Sequence, residues 1–124
     1  MGGIKDQLTV IVPVYNEADC LHPFRDEMDG FLRDSPVKTT IAFVNDGSTD
    51  GSRQIMEEIC ASNALYTMVS LQKNSGLSTA IKTGIDLCET SLMGYIDADL
   101  QTKPNDFLSM LPHMQAFDMV NGIR

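Results

Sequence analysis

Five apolar runs recur along the 124 residues: Leu8–Val14, Thr39–Val44, Leu65–Leu71, Leu92–Ile96 and Phe117–Val120. Their ends fall about 24 to 30 residues apart, the length of one strand plus one crossover helix. Such regular alternation restricts the chain to a mostly parallel sheet sandwiched between helices, with right-handed crossovers. The predicted class is therefore α/β, a Rossmann-like three-layer α/β/α arrangement. The first run is β-branched and almost continuously apolar, as expected of a strand covered on both faces. Pro13 cannot donate to a ladder, so this strand should end there.

Between the runs the apolar period changes to that of a helix. Leu21, Phe24, Met28, Phe31 and Leu32 predict a helix over 20–33, with Pro23 in its first turn and Ser35-Pro36 closing it. Ile55, Met56, Ile59 and Cys60 mark a second helix, and Leu77, Ala80, Ile81, Gly84, Ile85 and Cys88 a third. Pro104 opens a fourth carrying Phe107, Leu108, Leu111 and Met114, which Pro112 shortens or kinks.

The charge balance narrows the partners. Nine Lys and Arg against seventeen Asp and Glu give −8, which argues against nucleic acid. Cys20, Cys60 and Cys88 are widely spaced in segments read as helical, with no Cys-x-x-Cys, and read as free thiols of a reducing compartment. No run reaches the ~18 to 20 apolar residues of a membrane span, and Met1–Asp6 lacks the apolar core of a signal peptide. The chain as given reads as soluble and cytoplasmic.

In open parallel sheets ligands bind outside the carboxyl ends of the strands. That rule gathers Pro13 to Glu17, Asp46, Lys73 to Gly76 and Asp97 to Gln101 along one rim. The fourth run leads into Asp97-Ala98-Asp99. If the backbone stays extended there, the two carboxylates project to one side roughly 6 to 7 Å apart. Facing a diphosphate they would repel it, and a divalent ion such as Mg²⁺ or Mn²⁺ reverses that sign. An Asp-x-Asp by itself is more often a solvated turn or a helix cap, and only its setting changes that.

Four segments together carry a resemblance. Val12-Pro13-Val14-Tyr15-Asn16-Glu17, Val44-Asn45-Asp46-Gly47-Ser48-Thr49-Asp50, Lys73-Asn74-Ser75-Gly76 and Asp97-Ala98-Asp99-Leu100-Gln101 with Pro104 resemble family-two glycosyltransferases of the GT-A fold. Within that family the likeness is to the dolichyl-phosphate mannose synthase and polyprenyl-phosphate glycosyltransferase type, over about Leu8 to Arg124. The resemblance implies an inverting transfer from a UDP- or GDP-sugar. Pro13, Tyr15 and Glu17 would line the base and ribose pocket, and Asp46 would hydrogen-bond the base. Asp97 would face the ribose or the metal, Asp99 and Gln101 would reach the metal, and Arg124 would meet phosphates. Asp99 would thus act catalytically through Mg²⁺ or Mn²⁺. Lys73 and Asn74 lie on the same rim without an assigned contact.

A polyprenyl phosphate acceptor is already anionic, whereas a glycan hydroxyl needs a base that relatives carry downstream of residue 124. The residues leave the acceptor open. Relatives continue beyond this point, so the chain is expected to be one GT-A-type domain over 1–124, truncated on its C-terminal side, and weakly active or inactive alone. An open sheet edge would favour a homodimer, and the whole protein would work at the inner face of the membrane. Two other classes compete: a non-catalytic nucleotide-sugar-binding module, and a phospho-receiver domain. The latter needs an acidic pair after the first strand and an Asp after the third, where this chain has Pro13-Val14-Tyr15 and Leu71-Gln72-Lys73.

Overall fold

The central strand is β1 (Gln7–Val14), whose residues from Leu8 onward are all buried. The computed structural model describes residues 7–35, 38–88, 90, 92–96 and 98. Among them β1 is flanked by β2 (Lys38–Asn45) and β4 (Leu92–Tyr95), with β3 (Tyr66–Ser70) outside β2. The order is β3-β2-β1-β4 and every pairing is parallel, so the fold is a Rossmann-like α/β layer. A receiver-type sheet runs 2-1-3-4-5; here β2 and β3 are neighbours, which removes that alternative. The expected fifth strand and the helix after Pro104 lie outside the described residues.

Pro13 does not end β1, which continues to Val14 in register with Asn45. The reason is the alternation of backbone groups along a strand. The Val14 carbonyl accepts from Asp46 N at 2.8 Å on the β2 side, and the Ile11 carbonyl accepts from Ile96 N at 3.1 Å on the β4 side. Pro13 shares the orientation of Ile11, so its missing N–H falls on the β4 side, at the end of that strand, and the β2 ladder is untouched.

Among the described residues three helices alternate with the strands: α1 (Ala18–Asp34), α2 (Ser52–Ser62) and α3 (Leu77–Leu87). The helix α1 starts two residues before its predicted boundary, so Pro23 stands inside it and not in its first turn. The cause is tertiary, since side chains of the next loop cap the backbone at Glu17 and Ala18. At the other end Ser35 turns extended, as the residue before Pro36 must. Cys88 lies just past α3, at its cap position. All three cysteines are half-buried and in no disulfide, and burial, aided by Glu57, raises the Cys60 thiol above its ordinary pKa.

The alternation of β1 splits the core in two. Val10, Val12 and Val14 face Leu21, Phe24, Met28 and Phe31 of α1 and Met56 and Ile59 of α2. Ile11 faces the other way, with Val44 and Ala80, toward α3. On the first face Phe43 sits between Phe24 and Tyr66, with ring centroids at 6.1 and 5.9 Å. The hydroxyl of buried Tyr66 donates to Asp29 Oδ1 at 2.7 Å, and burial together with this carboxylate raises its pKa. On the second face α3 lies against the sheet at Gly84, where a Cβ would come within 2.6 Å of Ile11 Cγ2. Two helices on one face and one on the other, with β2 and β4 on opposite flanks of β1, make the β1/β4 boundary the topological switch point.

Candidate functional site

The loops leaving β1, β2 and β3 form one polar rim, held by side chains that reach from loop to loop. Asn16 adopts a positive φ of 54°, which a short amide side chain tolerates. That geometry lets its Oδ1 accept from Thr49 N at 2.8 Å and Asp50 N at 3.2 Å, while Asn16 N donates to Ser48 Oγ at 3.0 Å. Ser52 Oγ accepts from Glu17 N at 2.8 Å, and Asp50 Oδ2 from Ala18 N at 3.3 Å. Buried Asn45 links both neighbours, accepting from Ser48 N at 3.0 Å and donating to Ser70 Oγ at 3.2 Å.

Asp46, 4 % exposed, ties the second loop to the third. Its Oδ1 accepts from Ser75 N at 2.7 Å, and its Oδ2 from Asn74 Nδ2 at 2.9 Å and Gly76 N at 3.0 Å. The next residue, Gly47, has φ 71°, and a Cβ there would lie 2.3 Å from Asn74 N. Only glycine allows the two loops to touch backbone to backbone at this point.

These contacts share a consequence. The N-cap residues Glu17, Gly51 and Gly76 make no side-chain cap of their own. Instead Ser52 Oγ and Asp50 Oδ2 accept from Glu17 N and Ala18 N at the start of α1, Asp50 Oδ1 from Ser52 N at 2.8 Å at the start of α2, and Asp46 Oδ2 from Gly76 N just ahead of α3. A helix N-terminus is the usual seat of a phosphate in a Rossmann-like fold. Here Asp50 takes an N–H at the start of α1 and of α2 and Asp46 takes the Gly76 N–H ahead of α3, so two carboxylates already stand beside these helix ends and a diphosphate at this rim needs positive charge nearby. Hydrogen bonding to the Ser52 hydroxyl, with smaller help from backbone N–H groups, holds the Asp50 carboxyl below its ordinary pKa against a desolvation that opposes it.

Of the residues singled out in the sequence, Pro13 is buried at the end of β1, Tyr15 is 45 % exposed beside the switch point, Glu17 is half-buried and Asp46 buried. The structure brings these four together along the rim. Asn74 is a hydrogen-bond partner of Asp46, whereas Lys73 is exposed on the same loop. Asp97, Asp99, Gln101 and Arg124 lie outside the described residues. Their neighbours Ile96 and Ala98 are 1 % exposed and belong to the core on the α1 and α2 face. Among the described residues no group of three His, Cys, Asp or Glu side chains could hold a metal. No helix among them is long and apolar enough to cross a membrane.

Sequence reasoning missed the stitching role of Asn16, Asp50, Ser52 and Asn74. Asp50-Gly51-Ser52 ahead of a helix did carry a local signal, an Asp capping two residues on. The partner of Asn16 lies more than thirty positions away and has no local signature. A groove of about 510 Å³ runs over the α3 face, lined by Thr9, Thr40, Thr67 and Leu87 among others. It sits toward the amino ends of the strands and plays no part in the rim.

Residues 9–124 match the model of glycosyl transferase family 2, and the chain belongs to that family. Among its relatives is the undecaprenyl-phosphate 4-deoxy-4-formamido-L-arabinose transferase of Pseudomonas fluorescens, 29% identical over 119 residues, which are 94% of this chain and 35% of the relative. The bactoprenol glucosyl transferase of Shigella phage SfV is 30% identical over 108 residues, 87% of this chain and 34% of its own length. The chain thus spans about a third of the length of the curated relatives it matches. In fold it is similar to the mannosyltransferase PcManGT of Pyrobaculum calidifontis, solved with GDP-Man and Mn²⁺. That match has a TM-score of 0.71 at 23% identity, covering 84% of this chain and 31% of the other. TarS of S. aureus, solved with UDP-GlcNAc, matches with a TM-score of 0.53 at 25% identity over 75% of this chain and 26% of its own. The architecture is that of a GT-A fold.

Proposed function

We propose that this chain is the sugar-nucleotide-binding part of an inverting glycosyltransferase, which transfers a sugar from a nucleoside diphosphate to a polyprenyl phosphate or a glycan. The observation that carries the reading is the rim itself. It lies at the switch point of a parallel sheet, offers an exposed aromatic face at Tyr15 and an acceptor at Asp46, and has carboxylates of Asp46 and Asp50 bonded to N–H groups at the starts of its three helices. A nucleobase stacked on Tyr15, with Glu17 toward the ribose, would direct the diphosphate across the β1/β4 crevice toward the carboxyl end of β4.

Two carboxylates and an amide oxygen, from Asp97, Asp99 and Gln101, are hard oxygen donors of the kind that suit Mg²⁺ or Mn²⁺. When bound there, the ion would neutralise charge on the departing nucleoside diphosphate. Glu17, Asp46 and Asp50 stand on the rim with like sign to the ligand, which is why positive charge is needed there. Arg124 would add a contact to phosphate. An acceptor phosphate oxygen attacks the anomeric carbon from the side opposite the leaving group and needs no base. The solved structures with GDP-Man and UDP-GlcNAc, and relatives named for undecaprenyl phosphate or bactoprenol, support this class of donor and acceptor.

Titration calorimetry with UDP and GDP, with and without Mn²⁺, tests the reading. Binding that requires the metal and disappears in Asp99→Ala is expected. Binding indifferent to both metal and substitution would overturn it.

A further inference from the structure

Resting on the reading that a nucleobase stacks on Tyr15, we infer that Asn16 is a positioning residue, which fixes the direction of the Tyr15 side chain before the nucleotide arrives. Tyr15 is 45 % exposed, so packing does little to hold its ring, and its direction is left to the backbone on either side. On one side the Val14 carbonyl accepts from Asp46 N at 2.8 Å, which keeps the peptide between Val14 and Tyr15 tied to β2. On the other, Asn16 N donates to Ser48 Oγ at 3.0 Å, and Ser48 N donates in turn to Oδ1 of buried Asn45 at 3.0 Å. Both peptides that meet at the Tyr15 Cα are therefore anchored to the end of β2. Peptides are planar units, so anchoring the two fixes the Cα–Cβ bond between them.

Asn16 itself turns the chain with a φ of 54°. A residue other than glycine keeps such a backbone where its surroundings over-determine it, and glycine would adopt it at less cost. Asparagine adds what glycine lacks, an amide oxygen that accepts from Thr49 N at 2.8 Å and Asp50 N at 3.2 Å. The two loops are thus clasped in both directions: the first gives an N–H to Ser48 and takes two from the residues that follow Ser48. The start of α1 is met separately, since Glu17 N and Ala18 N donate to Ser52 and Asp50. The contacts of Asn16 fall instead on the peptide next to Tyr15. A ring already aimed at the ligand need not be ordered on binding, and ordering a side chain and its loop costs affinity by a factor on the order of tenfold.

The test is calorimetry with UDP and GDP in the presence of Mn²⁺, with thermal melts showing that each variant is folded at the temperature of measurement. In Asn16→Gly, which suits the positive φ but lacks the amide oxygen, nucleotide affinity should fall on the order of tenfold. Should that variant not fold, Ser48→Ala, which removes the acceptor of Asn16 N, takes its place in the same comparison. Tyr15→Leu completes a double-mutant cycle. If Asn16 acts through the ring, its substitution costs little further affinity once the ring is gone, whereas a merely structural Asn16 would add its full loss. Unchanged affinity in the Asn16 variant, or losses that add in the double variant, overturns the inference and leaves the nucleotide pocket standing. Unchanged affinity in Tyr15→Leu, or no binding of either nucleotide by the unaltered chain, overturns the stacking reading and the inference with it.

Discussion

The layer between the sheet and α1/α2 and the rim at the strand ends are built by different forces. The layer is apolar and dense, with Phe24, Phe31, Phe43, Met28 and Met56 fully buried. The rim has almost no apolar contact to hold it. Its loops are ordered by hydrogen bonds between residues thirty or so positions apart, through Asn16, Asp46, Asp50 and Ser52. Burial is non-directional and tolerates adjustment, whereas the rim depends on donors and acceptors that match one to one. The comparison teaches where stability and specificity separate: core changes should move unfolding, and rim changes should move binding more than unfolding.

The sharpest test of the core side is Phe43→Ala, which empties the space between Phe24 and Tyr66. Denaturant unfolding should show a loss of about 3 to 5 kcal/mol. Next is Gly47→Ala, where a side chain at positive φ meets the backbone of Lys73 and Asn74. A loss of about 2 to 4 kcal/mol is expected from strain and clash together; a loss under about half a kcal/mol would mean the two loops are not locked at this point. Asp46→Asn keeps the shape but turns an amide donor toward one of three donors. It should cost about 1 to 3 kcal/mol of stability, and lose nucleotide affinity by a larger factor than its fall in stability alone would give.

Asp50→Ala removes caps from both α1 and α2 and should cost about 1 kcal/mol. It also sharpens the comparison through pH. Because the folded state holds the Asp50 carboxyl below its ordinary pKa, the group stabilises the fold above that ordinary value and loses the contribution as pH falls through the depressed one. Thermal melts of the wild type and the variant should therefore converge below about pH 4. The effect is small because Asp50 is exposed. The smallest expected signal is self-association through the edge strands, which light scattering at high concentration would detect as a mass above that of the monomer.

The parallel α/β class, the four described strands, the three helices and the core residues were legible in the sequence, because burial imposes periods that a linear chain displays. Periods near two and near 3.6 survive any detail of packing. The placement of Tyr15, Glu17 and Asp46 on one rim was legible too, through the rule that loops at the carboxyl ends of parallel strands converge. What the sequence misjudged was local and polar. Pro13 was expected to stop β1, and Pro23 to sit in a first turn, because the residue alone does not say which neighbour its missing N–H faces or where a distant cap starts the helix. Asp46 shows the division most clearly. Its place at the tip of β2 follows from the order of residues, but three donors that hold its carboxylate come from a loop some thirty residues away. Only folding brings them together, since hydrogen bonds across loops depend on separations in space that no local pattern encodes.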